Sequence, residues 1–328
     1  MSQRKFATYT EAWPLTKPFT ISRGTKTVAN VLVVEITEDG YTGRGEGVPY
    51  AHYGETTEGV LAKVALSKNA IEDGVSKETI LSVFEPGAGR NALDSALWDL
   101  EAKLIGRPVW EYLGLQKPAP IITAQTISIG KASTMASQAK ELISAPLIKV
   151  KLDAEDVVSR VTAVREAAPG SRLIVDANEA WDMSLLAEVA PILDKLGVEM
   201  IEQPISSKED AVLANYKSPV PLCADEGCHT CEDITKARER YDMINIKLDK
   251  TGGLTEALQL AYSAKRVGLE IMIGCMVGTS LAMAPAMMLA SFAEFVDLDG
   301  PLLLQEDRKN GLVFKDGYVY PPLSALWG

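Results

Sequence analysis

Short runs of branched apolar residues recur through the second half of the chain, and each run ends on a polar group. Leu173-Ile174-Val175 ends on Asp176-Ala177-Asn178 and is followed by the helix-favouring Glu179-Ala180-Trp181. Met200-Ile201 ends on Glu202-Gln203-Pro204, Val220-Pro221-Leu222-Cys223-Ala224 ends on Asp225-Glu226, and Met243-Ile244-Asn245-Ile246 ends on Lys247. The steps from Asp176 to Glu202, Asp225 and Lys247 are 26, 23 and 22 residues, about one strand-helix-strand unit each. Three carboxylates and a lysine therefore stand at the C-terminal ends of successive strands. In a parallel (β/α) barrel those ends form the reactive face, and three hard oxygen donors converging there suit a hard divalent cation such as Mg²⁺.

The same pattern predicts barrel strands near 121–129, 146–152, 172–176, 199–203, 220–225, 242–247, 269–275 and 295–299, with helices that include 153–167 and 255–267. Ahead of them lies a different texture. Val31 to Thr37 is a β-branched run that turns at Glu38-Asp39-Gly40 and restarts at Tyr41, a hairpin signal. Phe19 to Gly24 reads as a strand entering a glycine-punctuated loop. Residues 43–56, with four glycines, Tyr50 and Tyr53, read as a mobile surface loop. Two such loops on a small domain would close over a barrel mouth. Residues 91–105 repeat Leu93, Ala96, Leu97, Leu100 and Leu104 at helical spacing, with Asp94, Asp99, Glu101 and Lys103 on the other face and a stop at Gly106-Arg107-Pro108. The expected organisation is α/β: an α+β unit over 1–118, a barrel over 119–299, and a tail over 300–328 that returns to the first unit.

The predicted second barrel strand, Leu147-Ile148-Lys149-Val150-Lys151-Leu152, carries two lysines at i and i+2, hence on one face, while Ile148, Val150 and Leu152 pack outward. A buried strand is a poor place for solvated charge, so the pair belongs beside the carboxylates and an anionic substrate. Mutual repulsion and desolvation would lower a lysine pKa toward the operating pH and make the neutral amine a usable base. Lys247, from the sixth strand, lies nearly opposite.

Composition changes little: 47% hydrophobic and 23% charged residues in 328 are ordinary for a globular enzyme of this size. A net charge of −11 without a basic run argues against nucleic acid. No apolar leader follows Met1-Ser2-Gln3-Arg4-Lys5, which points to the cytoplasm. The uncharged run 271–293 is long enough to span a membrane, but Gly274, Gly278-Thr279-Ser280 and Pro285 divide it into strand, loop and helix. Cys228-His229-Thr230-Cys231 lacks the second pair of arms of a structural zinc site and reads as reduced thiols in a barrel loop. No phosphate-binding glycine loop is present.

Lys149-Val150-Lys151, Asp176-Ala177-Asn178, Glu202-Gln203-Pro204, Asp225-Glu226 and Lys247 together resemble the enolase superfamily in its muconate-lactonizing subgroup, and Ala92 to Leu100 resembles that subgroup's capping-domain helix. The resemblance covers nearly the whole chain. It implies a capping domain over a (β/α)₇β TIM-like barrel, one Mg²⁺ per subunit held by Asp176, Glu202 and Asp225, and a lysine base that works with Mg²⁺ to stabilise an ene-diolate.

Within the subgroup, Asp297-Leu298-Asp299-Gly300, Lys247 to Gly253 and Ile273 to Met276 resemble the dipeptide epimerases acting on L-Ala-D/L-Glu. The i, i+2 pair Asp297 and Asp299 would share one face and bind a free α-ammonium; the bland alternative is a cap on the turn before Pro301. Arg23 would by similarity pair with the glutamyl side-chain carboxylate, unless it is a plain surface charge. Thr126 resembles a substrate-contacting position, although a β-branched strand residue needs no such role. Lys149 would add positive charge beside the metal-bound carboxylate, while Lys151 and Lys247 remove and return the α-proton on opposite faces. The implied enzyme is an isomerase of small dipeptides in cell-wall peptide recycling. A cycloisomerase, an o-succinylbenzoate synthase or an N-acylamino acid racemase would keep the lysines and metal ligands without needing the aspartate pair. A homo-oligomer is left open by the sequence.

Overall fold

The computed structural model describes residues 4–328; residues 1–3, part of the N-terminal stretch considered above, lie outside them. The chain opens with a long antiparallel ribbon of Lys5–Ile21, Gly24–Glu38 and Tyr41–Gly47. Alternation along its middle strand explains its place. Leu32, Val34 and Ile36 pack under the helices, whereas Val31 and Val33 face the other way and meet Val48 and Met276 at the barrel mouth. The turn at Asp39-Gly40 falls where the hairpin signal puts it, with both residues at positive φ (50° and 84°).

Two expectations are corrected here. The segment 19–24 is no strand entering an open loop: Ser22-Arg23 is the turn between two long paired strands, so Arg23 sits on a hairpin tip. Residues 43–47 are buried strand, not mobile loop. A Cβ on Gly43, Gly45 or Gly47 would lie 2.2, 2.0 and 2.0 Å from the carbonyl oxygens of Ala96, Ala92 and Ala88. The glycines are there because a helix backbone lies directly on the strand; only 48–56 remains a loop.

That helix, Ala88–Ile105, stops at Gly106 in the left-handed conformation (φ 65°) as the Gly-Arg-Pro signal predicts. Its polar face is not solvated, however. Asp94 and Asp99 are 2% and 0% exposed. Asp94 accepts from the Thr255 backbone N–H, and Asp99 accepts from the backbone N–H groups of Arg44 and Gly328. Buried between ribbon and barrel, the helix uses its acids to satisfy neighbouring backbone donors.

Eight parallel strands follow, in sequential order: Gln125–Ile127, Leu147–Lys151, Arg172–Asp176, Val198–Glu202, Leu222–Ala224, Met243–Ile246, Glu270–Ile273 and Phe295–Val296. The sheet curls until its first and last strands meet, where the Ala124 N–H donates to the Val296 carbonyl at 2.8 Å. Each strand lies within its predicted range or one residue beyond. Ile121–Ile122 forms no part of this sheet; it pairs with Tyr318–Val319 of the tail. The tail also touches the ribbon, through the Leu15–Leu304 bridge and an Arg308–Glu11 ion pair of 2.5 Å. The uncharged run 271–293 is divided as expected, into Glu270–Ile273, a loop and Ser280–Ala286. No helix among the described residues is long and apolar enough to cross a membrane.

Candidate active site

Side chains pointing into the barrel form two layers. At the N-terminal end of the strands Ala124, Leu147, Ile174, Met200, Cys223, Met243, Met272 and Phe295 make an apolar plug. Two or four residues further along the same strands come the polar groups, as the two-residue period requires. Strand register fixes their relative heights: Thr126 pairs with Lys149, Lys151 with Asp176, and Asp176 with Glu202. Ile148, Val150 and Leu152 face outward into the main core, as expected.

The charged groups interlock. Lys149 Nζ lies 3.1 Å from Asp176 Oδ2, 2.7 Å from Glu202 Oε2 and 2.9 Å from Asp297 Oδ2. Lys151 donates to Asp176 Oδ2 at 2.5 Å and to Asn178 Oδ1 at 3.3 Å. Lys247 donates to Asp225 Oδ2 at 2.6 Å, and Lys250 Nζ sits 2.7 Å from Asp225 Oδ1. Burial disfavours ionised Asp176, but Lys151 and Lys149 outweigh it and hold the carboxyl below its usual range; Lys247 and Lys250 do the same for Asp225. Glu202 differs, because burial and Asp176 raise it.

The expectation that the lysines would be pushed toward neutrality is corrected. Burial does act in that direction on Lys149 and Lys247, but Asp297, Glu202 and Asp176 overcome it at Lys149, and Asp225 and Glu202 at Lys247, so both ammoniums are held above their ordinary range. Each stands against carboxylates rather than against another amine.

As the side chains stand, no group of three or more carboxylate, imidazole or thiol side chains among the described residues converges tightly enough to hold a metal ion. The lysines draw the carboxylates apart. The donor set nevertheless fits a hard cation: Asp176, Glu202 and Asp225 are at most 1% exposed, and Glu202 Oε2 and Asp225 Oδ1 accept no hydrogen bond. Three adjacent buried carboxylates require compensating positive charge, which the ammoniums supply here.

Asp297 and Asp299 do share one wall. The backbone of Asp299 opens the turn Gly300–Leu303, but its side chain makes no cap and instead accepts the Thr126 N–H at 2.7 Å. Burial and Asp297 raise Asp299 to about 7, and Asp297 Oδ1 has no hydrogen-bond partner. Arg23 reaches in from its hairpin tip. It is neither a plain surface charge nor a free one: it lies 2.6 Å from Glu226 Oε1, donates to the Tyr50 hydroxyl at 3.0 Å and to the Asn178 carbonyl at 3.1 Å. Arg23, Thr126, Lys149, Lys151, Asp225, Lys247, Asp297 and Asp299 all line one cavity of about 530 Å³, with Asp176 and Glu202 beneath them.

Several supporting residues have no sequence pattern that assigns their work. Gln203, at a φ of 33°, accepts the N–H groups of Asp225 and Gly227 and donates to Ile205 and Tyr241. Asn178 and Glu179 also take positive φ (43° and 67°), so strain gathers at the strand ends that present the carboxylates. Asn245 donates to Glu202 at 2.8 Å. Lys250 ties the carbonyls of Asp225, Cys228 and Asn245 together. Lys26 and His52 also line the cavity. The Cys228–Cys231 loop carries free thiols, as expected, and His229 packs edge-on against Tyr53 at 4.5 Å, where burial lowers it to about 4.

Comparison with known families decides the kinship. Residues 3–114 match the mandelate racemase / muconate lactonizing enzyme N-terminal domain, and residues 134–325 match the enolase C-terminal domain-like family. The chain belongs to this family. An L-Ala-D/L-Glu epimerase of Escherichia coli (strain K12) is 44% identical over 97% of this chain and 99% of its own. An N-acetyl-D-glutamate racemase of a Pseudoalteromonas species is 46% identical over 91% of this chain and 95% of its own. Among solved structures, an enolase family member from Agrobacterium tumefaciens with homology to dipeptide epimerases, with bound sodium and L-Ala-L-Glu, superimposes at a TM-score of 0.97, with 47% identity over 99% of this chain and 100% of that one.

Proposed function

We propose that the protein is a Mg²⁺-dependent dipeptide epimerase that inverts the α-carbon of the C-terminal residue of L-Ala-D/L-Glu. The observation that carries this reading is the placement of Lys151 and Lys247. They project from the second and sixth of eight barrel strands into one cavity, and strands four apart in a ring of eight face each other. Two amines on opposite sides of a bound α-carbon are what inversion by two bases needs.

Asp176, Glu202 and Asp225 would hold the Mg²⁺. When bound, it supplies positive charge that steadies the substrate carboxylate as the α-proton leaves, and it takes over carboxylates that otherwise keep the lysines protonated. Lys149, between Asp176, Glu202 and Asp297, adds fixed positive charge beside that carboxylate. Lys151 takes the proton on one face, and Lys247 gives one back on the other, with roles exchanged for the opposite enantiomer. Asp297 Oδ1, buried and without a donor, together with Asp299 in the same wall, suits the α-ammonium of a dipeptide. Thr126 orients Asp299 through its N–H.

The capping unit over 1–118, joined by the tail over 300–328, and the barrel over 119–299 are the working parts of this reading. Four free cysteines suit a reducing compartment, the cytoplasm, and turnover of cell-wall peptide would supply the substrate.

The Pseudoalteromonas relative favours a second reading, racemisation of an N-acylated glutamate with the same two lysines and no ammonium to bind. One experiment separates them. The enzyme with Mg²⁺ in D₂O is incubated with L-Ala-L-Glu, L-Ala-D-Glu and N-acetyl-D-glutamate, and the glutamyl α-proton is followed by NMR. Exchange with inversion of the dipeptides, but not of N-acetyl-D-glutamate, is expected. Exchange of N-acetyl-D-glutamate alone selects the second reading, and exchange of neither sinks both.

A further inference from the structure

The dipeptide reading assigns both ends of the substrate backbone but leaves the C-terminal side chain to Arg23, and Arg23 is already engaged. Its guanidinium faces the buried Glu226 at 2.6 Å and Glu179 at 3.5 Å, and it donates to Tyr50 and the Asn178 carbonyl. Burial alone would lower its proton affinity; Glu226 reverses that and raises it. Two protein carboxylates thus offset one guanidinium. His52, the next basic group on that side, also points at Glu179, at 3.0 Å.

The other cations of the cavity are likewise paired: Lys149 with Asp176, Glu202 and Asp297, Lys151 with Asp176, Lys247 with Asp225. Lys26 differs. It lines the same cavity from the strand that follows the hairpin tip, with its ammonium 4.7 Å above the Tyr50 ring. Among the described residues it has no ion-pair partner, while burial and the neighbouring Arg23 lower its proton affinity. An anion arriving beside it would relieve that repulsion and meet a charge not already neutralised.

We infer that Lys26, and not Arg23 alone, recognises the side-chain carboxylate of an acidic C-terminal residue and so sets the preference for glutamate over neutral side chains. The assignment rests on the dipeptide epimerase reading. Lys26 touches no reacting atom; it acts on which side chain is accepted. Arg23, held by Glu226, Tyr50 and Asn178, shapes the pocket and keeps the hairpin tip against the turn after the third barrel strand.

Steady-state epimerisation of L-Ala-L-Glu and the neutral near-isostere L-Ala-L-Gln tests it, with the wild type, Lys26→Met, Lys26→Arg and Arg23→Met. In Lys26→Met the ratio of kcat/KM for the glutamyl over the glutaminyl dipeptide should fall about tenfold, through KM rather than kcat, as loss of one charge-assisted contact predicts. Lys26→Arg should keep the ratio within about threefold of wild type. An unchanged ratio in Lys26→Met, an equal loss on both dipeptides, or a fall in the ratio confined to Arg23→Met overturns the assignment. If wild type turns over neither dipeptide, the epimerase reading itself fails, and the side-chain assignment falls with it.

Discussion

Two sets of buried carboxylates organise this molecule, and they are kept buried by different means. In the barrel mouth, Asp176 and Asp225 face ammoniums at 2.5 to 2.7 Å and are held ionised. Between ribbon, helix and barrel, Asp94 and Asp249 face mostly neutral donors. Asp249 accepts the Val48 N–H at 2.9 Å and the Asn91 amide at 2.8 Å, and Asp94 accepts the N–H and hydroxyl of Thr255. Burial raises Asp94 to about 6 and Asp249 to about 7. Glu46 lies between the two kinds: burial raises it, although Arg308 is within 2.8 Å and Thr279 donates from both its N–H and its hydroxyl. Depth alone therefore says little about a buried acid. Its partner decides whether it remains a fixed charge, as a metal or substrate site requires, or becomes a group that titrates near neutrality and fastens two parts of the fold.

The largest effect should come from removing a cation of the first set. Lys247→Ala takes away one proton donor and acceptor, and a fall in kcat of about a thousandfold is expected from loss of general acid–base catalysis. Stability should change little, because Lys250 still lies 2.7 Å from Asp225. Deuterium exchange from the enantiomer served by Lys151 should survive without inversion, as NMR in D₂O would show. Loss of exchange from both enantiomers with unchanged Tm would mean that Lys247 does not act as one of two independent bases.

The first set was far more legible in the sequence than the second. Strand periodicity of two and the spacing of apolar runs suffice to bring Lys149, Lys151, Asp176, Glu202, Asp225 and Lys247 to one end of one barrel, because regular strands carry side-chain direction with them. The second set depends on what lies across a gap. Asp94 and Asp99 sit on a helix whose pattern reads as half solvated, and only the ribbon, barrel and chain terminus packed on it bury them. The glycines 43–47 read as a loop because nothing local reveals a helix backbone 2 Å from the missing Cβ. Lys26 lacks a signal for a third reason: its interest is the absence of a partner, and partners are set by tertiary contact.

Removing the cation beside Glu46 gives the next effect. Arg308→Met leaves that carboxylate, 0% exposed, with Thr279 as its remaining donor. An uncompensated buried charge costs about 3 kcal/mol, so a lower Tm and an earlier denaturant midpoint are expected, with the specificity ratio for glutamyl over glutaminyl dipeptides unmoved. A stability loss well under 1 kcal/mol would show that Glu46 is protonated in the folded protein and belongs wholly to the second set.

The smallest effect is the most diagnostic because it depends on pH. A carboxyl whose folded pKa is raised makes folding take up a proton, so its contribution favours the folded state at low pH and is lost as pH climbs from the ordinary aspartate range toward its folded value. For Asp249 that window runs from about 4 to about 7. Asp249→Asn keeps a carbonyl oxygen for Val48 and Asn91 but cannot ionise. Relative to wild type it should therefore gain stability as pH rises through the window, by on the order of 2 kcal/mol, and run parallel above it. Asp176 and Asp225, held low by lysines, contribute no slope there. Denaturant midpoints at pH 5 and pH 8 measure the difference. A constant offset between the two proteins at both pH values would mean that Asp249 remains ionised across the range, which its neutral donors alone do not provide for.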